Sequence, residues 1–124
     1  MRVFKTKWFA RFARKESIGD NRLADAVQET EHGLNDGDLG GHLIKKRVAR
    51  EGQGKRGSYR TIIVYRKGKR SVFVYGFPKS AVDNINDVEL KAFQKLGLHY
   101  LSFSDTEIAK ALQAGELQEV KYHG

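Results

Sequence analysis

Leu43-Ile-Lys-Lys-Arg-Val-Ala-Arg50, Glu51-Gly-Gln-Gly-Lys-Arg-Gly57, Ser58-Tyr-Arg-Thr-Ile-Ile-Val-Tyr-Arg66, Lys67-Gly-Lys-Arg70 and Ser71-Val-Phe-Val-Tyr-Gly-Phe-Pro-Lys79 follow one another without a break. The third of these segments is dense in β-branched and aromatic residues and has the strongest strand composition in the chain. Leu43–Arg50 and Ser71–Phe77 read as its neighbours. A glycine-containing connection separates each pair, so the three are expected to pair as antiparallel hairpins.

Helical patterns flank this centre. On the N-terminal side, Val3 and Phe4 start a short edge strand. Thr6 to about Glu16 is predicted to be a helix with Trp8, Phe9, Phe12 and Ala13 on one face. A second helix is expected after a cap at Asp20 or Asn21, carrying Leu23, Ala26, Val27 and Thr30 and ending near Gly33. Residues 35–41, Asn-Asp-Gly-Asp-Leu-Gly-Gly, are turn formers and read as a loop. On the C-terminal side, Asn86-Asp-Val-Glu89 and Ser104-Asp-Thr-Glu107 carry the capping-box pattern of two helix starts. Their helices are expected to reach about Leu98 and about Gly115, followed by a short strand or ordered tail over 117–122. The order β-α-α-β-β-β-α-α predicts an α+β domain, a small antiparallel twisted sheet flanked by helices.

At 124 residues the chain fits one domain over 1–124, with a basic sheet core at about 43–79 and a helical part at about 86–115. It has no cysteine, so neither a disulfide nor a thiolate metal site is available. No apolar run approaches the roughly 18–20 residues that span a bilayer, and the expected location is the cytoplasm. No two of His32, His42, His99 and His123 have close metal-ligand spacing, and no metal site is expected. Only His42 lies near the basic strands, where it is a candidate acid or base.

The formal net charge is +8. Leu43–Arg70 holds eleven basic side chains against Glu51 alone, a net of +10, while the other 96 residues hold 12 basic and 14 acidic side chains. A block this concentrated, in a chain of pI about 9.8, points to a phosphate-bearing polyanion, the alternative being a solvated basic face. The Gly52–Gly57 connection is not a phosphate-binding P-loop, because Lys55 is followed by arginine and a strand rather than Ser/Thr and a helix. Lys55 and Arg56 are expected to touch a nucleic-acid backbone, with Lys46 and Arg50 beside them. Strand alternation puts Arg60 on the face of Ile62 and Val64, and puts Lys45 and Arg47 together on one face of the preceding strand. Converging, these three suit a phosphate and the charge that develops on it. The competing reading pairs an arginine with Glu29 or Glu31. Tyr59, Tyr65 and Tyr75 are placed to stack on bases, but tyrosines in strands are more often half-buried sheet residues, the reading preferred for Tyr65 and Tyr75.

These segments, in order, together with the opening Phe4-Lys-Thr-Lys-Trp-Phe-Ala-Arg-Phe-Ala-Arg14, resemble the RelE/ParE toxin superfamily, and within it the HigB-like branch. The resemblance spans most of residues 3–120. It implies the toxin of a type II toxin–antitoxin system, a metal-independent enzyme without cofactor that cuts mRNA in the ribosomal A site, with a cognate antitoxin as protein partner and no membrane. Carried over, Lys45 and Arg47 match the basic residues of the first central strand and Arg60 the arginine of the Ser-Tyr-Arg strand. Lys79 matches the basic residue after the last sheet strand. Some members then place a catalytic tyrosine where this chain has Ile85, which leaves the general base open between Lys45 and Lys79. Two rivals share these features. One is a ParE-like gyrase inhibitor that cuts nothing, and the other is a non-catalytic nucleic-acid-binding module.

Overall fold

The protein is described by a computed structural model covering residues 1–50, 54–78 and 85–121, without the side chains of 50 and 54–57. The elements run β1 (Arg2–Thr6), α1 (Lys7–Lys15), α2 (Asp20–Glu31), β2 (Gly37–Gly40), β3 (Leu43–Arg50), β4 (Gly54–Arg66), β5 (Arg70–Pro78), α3 (Asp87–Leu101), α4 (Asp105–Gln113) and β6 (Leu117–Glu119). They form one six-stranded sheet in the order β2-β3-β4-β5-β1-β6. The three central strands pair antiparallel as their hairpins require. The single parallel pair is β1 with β5, because the N-terminal strand enters beside the last of the three rather than beside its chain neighbour.

Local chemistry accounts for the helix ends. Thr6 accepts the Phe9 N–H at the start of α1, and Asn86 and Ser104 each form a reciprocal capping box with a glutamate three residues on. Helix α2 departs from expectation: its N-cap is Gly19, with no side-chain cap, and Asp20 is its first residue. Asp20 is engaged elsewhere, holding Lys5 Nζ at 2.6 Å and the Lys121 N–H at 2.9 Å. Two segments read as loop contain strand. Gly37–Gly40 is the edge strand β2, flanked by turns in which Asn35 and Asp38 accept the N–H groups of Gly37 and Gly40. Strand β4 reaches back to Gly54, so the connection after β3 is shorter than the glycine spacing suggests.

Two apolar layers sandwich the sheet. Helices α1 and α2 cover one face with Phe9, Ala13, Leu23 and Val27 over Ile44, Val48, Ile63 and Phe73. The C-terminal helices cover the other face with Tyr100, Ile108 and Ala111 over Leu43, Ile62, Val64 and Val72. Each fully buried Phe, Leu or Ile contributes about 1.5–3 kcal/mol. Trp8 is not among them. It is 45% exposed, and only Phe9, Ala10 and Ala13 of α1 are buried.

Helix α3 covers its face unevenly. Gly97 lets the helix backbone close on Val64, since an added Cβ would sit 3.3 Å from that side chain. Nearby, Gln94 donates to the Leu39 carbonyl at 3.2 Å. Val64 and Arg60 are four residues apart on β4, about 13 Å along the strand. The α3 contact at Gly97 and Gln94 therefore lies at one end of β3 and β4, and the basic residues lie toward the other.

Candidate functional site

Strand register places the arginines. Arg47 on β3 is directly opposite Arg60 on β4, and Phe77 on β5 is opposite Arg60 from the other side. Lys45 pairs with Ile62. All lie on the face whose core is Leu43, Ile62 and Val64. Directly opposed side chains have Cβ atoms about 4.5–5.5 Å apart, and like charges there repel. Asp36 offsets part of this repulsion by pairing with Arg47, and no carboxylate is seen at Arg60 among the described residues. The Nε of Arg60 is buried and has no hydrogen-bond partner among the described residues. Neither has the buried hydroxyl of Ser58, two residues earlier and on the same face by strand alternation. Buried polar groups nearly always have partners. Both atoms lie on the face that carries Lys45 and Arg47.

Arg47 is held from behind. Asp36 accepts its backbone N–H at 2.7 Å and lies 3.4 Å from its Nε. The Arg47 side chain remains 49% exposed, so Asp36 fixes the orientation of the guanidinium without enclosing it. Lys45 is partly buried beside the edge strand, its Cε close to Gly37.

The other expected site residues are placed differently. Lys46 points to the opposite face, where it is 7% exposed and its Nζ meets Glu29 at 3.2 Å. It offers nothing to a ligand on the Arg60 face, because adjacent strand positions alternate. The carboxylate pairing weighed for an arginine is thus taken by this lysine, and Glu31 is taken by the Tyr65 hydroxyl at 2.7 Å. The backbones of Arg50, Lys55 and Arg56 belong to β3 and β4, while their side chains lie outside the description. Lys79 lies outside the described residues. His42 occupies the turn before β3 with φ 64°, about 17 Å along the strand from Arg47, and does not join the arginines. Ile85 packs against the core under α3 and supplies no proton acceptor.

The tyrosines are mostly structural. Tyr59 is buried and donates to Glu16 at 3.1 Å. Burial, then the bond to Glu31, pushes the Tyr65 hydroxyl up to about 12. Burial, then Glu116, does the same to Tyr100. Both hold their protons well above neutral pH. Among the described residues no group of His, Asp or Glu comes together as a metal-binding cluster, and no helix is long and apolar enough to cross a membrane.

Sequence reasoning did not anticipate the Asp36–Arg47 contact or the buried Ser58 hydroxyl, and it placed the exposed Trp8 on an apolar helix face. Ser58 was legible in principle, two residues before Arg60 in a strand. Asp36 was not, because its role depends on how β2 sits against β3.

The family model described as the RelE toxin of the RelE/RelB toxin–antitoxin system matches residues 1–120, nearly the whole chain. The chain belongs to the RelE toxin family. It is accordingly the toxin of a type II toxin–antitoxin system, whose protein partner is a cognate antitoxin. The match supports the RelE/ParE superfamily without distinguishing the HigB-like branch. No curated protein matches the sequence. The basic sheet face of this RelE-family chain is built from strands inside the matched region.

Proposed function

We propose that this RelE-family toxin is a ribosome-dependent mRNA endoribonuclease that inhibits translation in the cytoplasm and cuts through cationic side chains rather than a metal ion. The observation that carries the reading is the opposed pair Arg47 and Arg60, with the Arg60 Nε buried and unpartnered. A phosphodiester supplies the missing acceptor.

In this reading the 2′-hydroxyl attacks its own 3′-phosphate. The new O–P bond forms, the bond to the 5′-oxygen of the next nucleotide breaks, and the products are a 2′,3′-cyclic phosphate and a free 5′-hydroxyl. Charge builds on the non-bridging oxygens of the phosphorane. Arg60 and Arg47 face that charge from adjacent strands, and their planar forks suit the two equatorial non-bridging oxygens of the pentacoordinate phosphorus. Lys45, on the same face, is the proposed acceptor of the 2′-hydroxyl proton, and Lys79 a second candidate that follows β5. Lys55, Arg56 and Arg50 are assigned to the RNA backbone, where each contact contributes salt-dependent affinity.

The test is cleavage of an mRNA in a reconstituted translation reaction, with and without ribosomes. Cuts that require ribosomes, and that fall about 100-fold or more in Arg60→Ala, are expected. Translation arrested with the mRNA intact would refute the nuclease reading and direct attention to gyrase supercoiling.

A further inference from the structure

Helix α1 carries Lys7, Arg11, Arg14 and Lys15, all exposed, and no acidic residue. At 100° per residue these four form one continuous arc that ends at Trp8. The Trp8 ring stacks on Tyr75 (centroids 4.8 Å, 28° between planes) and on Phe12 (5.5 Å, 12°), and is still 45% exposed. Beneath it opens a cleft of about 650 Å³ between α1, β5 and α3, walled by Trp8, Tyr75, Phe93, Leu96 and Tyr100, with Lys7 lining it. The cleft exists because β5 continues past its pairing with β1, which ends beside Phe73, so Tyr75 has no neighbouring strand on that side.

Side-chain packing links the wall of the cleft to the strand position opposite Arg60. Tyr75 contacts Phe77 at 5.9 Å, and Phe77 is opposite Arg60 across the sheet. An aromatic row therefore leads from the arginine pair to the cationic arc of α1. Aromatic faces beside a cationic track are what single-stranded nucleic acid requires, bases stacking while phosphates are neutralised.

We infer that the Trp8–Tyr75 cleft holds an unstacked base of the same RNA strand whose phosphate lies at Arg47 and Arg60, and that α1 binds the adjoining backbone. This rests on the RNA-cleavage reading for the phosphate and adds a base-binding subsite to it. The cleft's one carboxylate, Glu116, does not make the surface acidic, since it faces the Tyr100 hydroxyl at 3.5 Å and Lys7 lines the same cleft.

Trp8 is the only tryptophan in the chain, so its fluorescence reports the cleft directly. The probe is a short single-stranded 2′-O-methyl RNA, which lacks the attacking hydroxyl and cannot be cut. Saturable quenching is expected with this RNA and not with an abasic oligonucleotide of equal length. Trp8→Ala is expected to weaken binding roughly 5- to 150-fold, the loss of one base–aromatic stack, with most of it restored in Trp8→Phe. RNA binding seen by anisotropy without a change in Trp8 emission would overturn the inference, as would an unchanged Kd in Trp8→Ala. Emission that responds to the antitoxin but not to RNA would also overturn it, assigning the cleft to the protein partner. The two readings fail separately. Quenching in a protein that cuts nothing upholds the cleft and rejects the nuclease, whereas Arg60-dependent cleavage indifferent to Trp8→Ala in rate and affinity rejects the cleft alone.

Discussion

Replacing Arg60 by methionine separates what this residue does for RNA from what it does for the fold. Methionine keeps an unbranched apolar stem against Ile62 and Phe77 while removing the guanidinium. The wild-type protein carries a buried, unpartnered Nε and a like charge directly across the strand pair at Arg47. An unsatisfied buried polar group costs about 1–3 kcal/mol, and opposed like charges in a sheet cost about 0.2–1 kcal/mol. Arg60→Met relieves both, so unfolding should become harder by about 1–4 kcal/mol, roughly 4 °C in Tm per kcal/mol. Catalysis should move the other way. Removing one donor to a developing oxyanion costs about 2.7–4 kcal/mol, or roughly 10²–10³-fold in cleavage rate. Inorganic phosphate should raise the Tm of the wild type by binding the folded state, and raise that of Arg60→Met less. The assays are urea denaturation, thermal melts with and without phosphate, and mRNA cleavage. A variant that loses stability and keeps its cleavage rate would refute the reasoning, because Arg60 would then be a structural residue satisfied within the fold.

Lys46→Met should leave RNA affinity and cleavage unchanged, and alter stability by no more than about 1 kcal/mol, because its partner Glu29 is 56% exposed; a fall in RNA affinity would place Lys46 in the interface after all. Gly76→Ala should destabilise the fold by about 1–3 kcal/mol in denaturant titration, since the new methyl would sit 2.6 Å from the Phe12 ring, and overpacking forces the ring or strand to move. Tyr65 and Tyr100 ionise near 12 when folded and 10.0 when unfolded. The folded chain keeps protons that the unfolded chain releases, so their contribution is complete below pH 10 and is lost as pH rises from 10 to 12. Tyrosinate absorbance should show two late-titrating groups, one lost in Tyr65→Phe and the other in Tyr100→Phe; titration of every tyrosine near 10 would contradict this.

Much of the fold was written locally. The capping boxes at Asn86 and Ser104, the helix faces of α2 and the β-branched run of β4 are chemistries that act within a few residues, and each element formed where it reads. Strand alternation has period two and needs no partner, so the sequence alone put Lys45 with Arg47 on one side of β3 and Arg60 with Ile62 on one side of β4. The failures were equally physical. Gly37–Gly40 has turn composition and becomes a strand only because β3 offers it an edge. Trp8 lies at the margin of its helix's apolar face, and whether it is buried depends on how far β1 runs beside β5.

By itself, then, the sequence determined the elements, the sides of each strand, and a concentrated positive charge looking for phosphate. The tertiary structure decided that Arg47 stands opposite Arg60, that Asp36 holds Arg47 while the Arg60 Nε has no partner among the described residues, and that Lys46 turns away. Those facts depend on the β3–β4 register, which is set by turns and by the packing of distant helices. One residue of slip in β3 would exchange Lys46 for Arg47 on the face of Arg60. No composition or local pattern encodes that choice, and it is made only when the buried faces of β3 and β4 meet their helices.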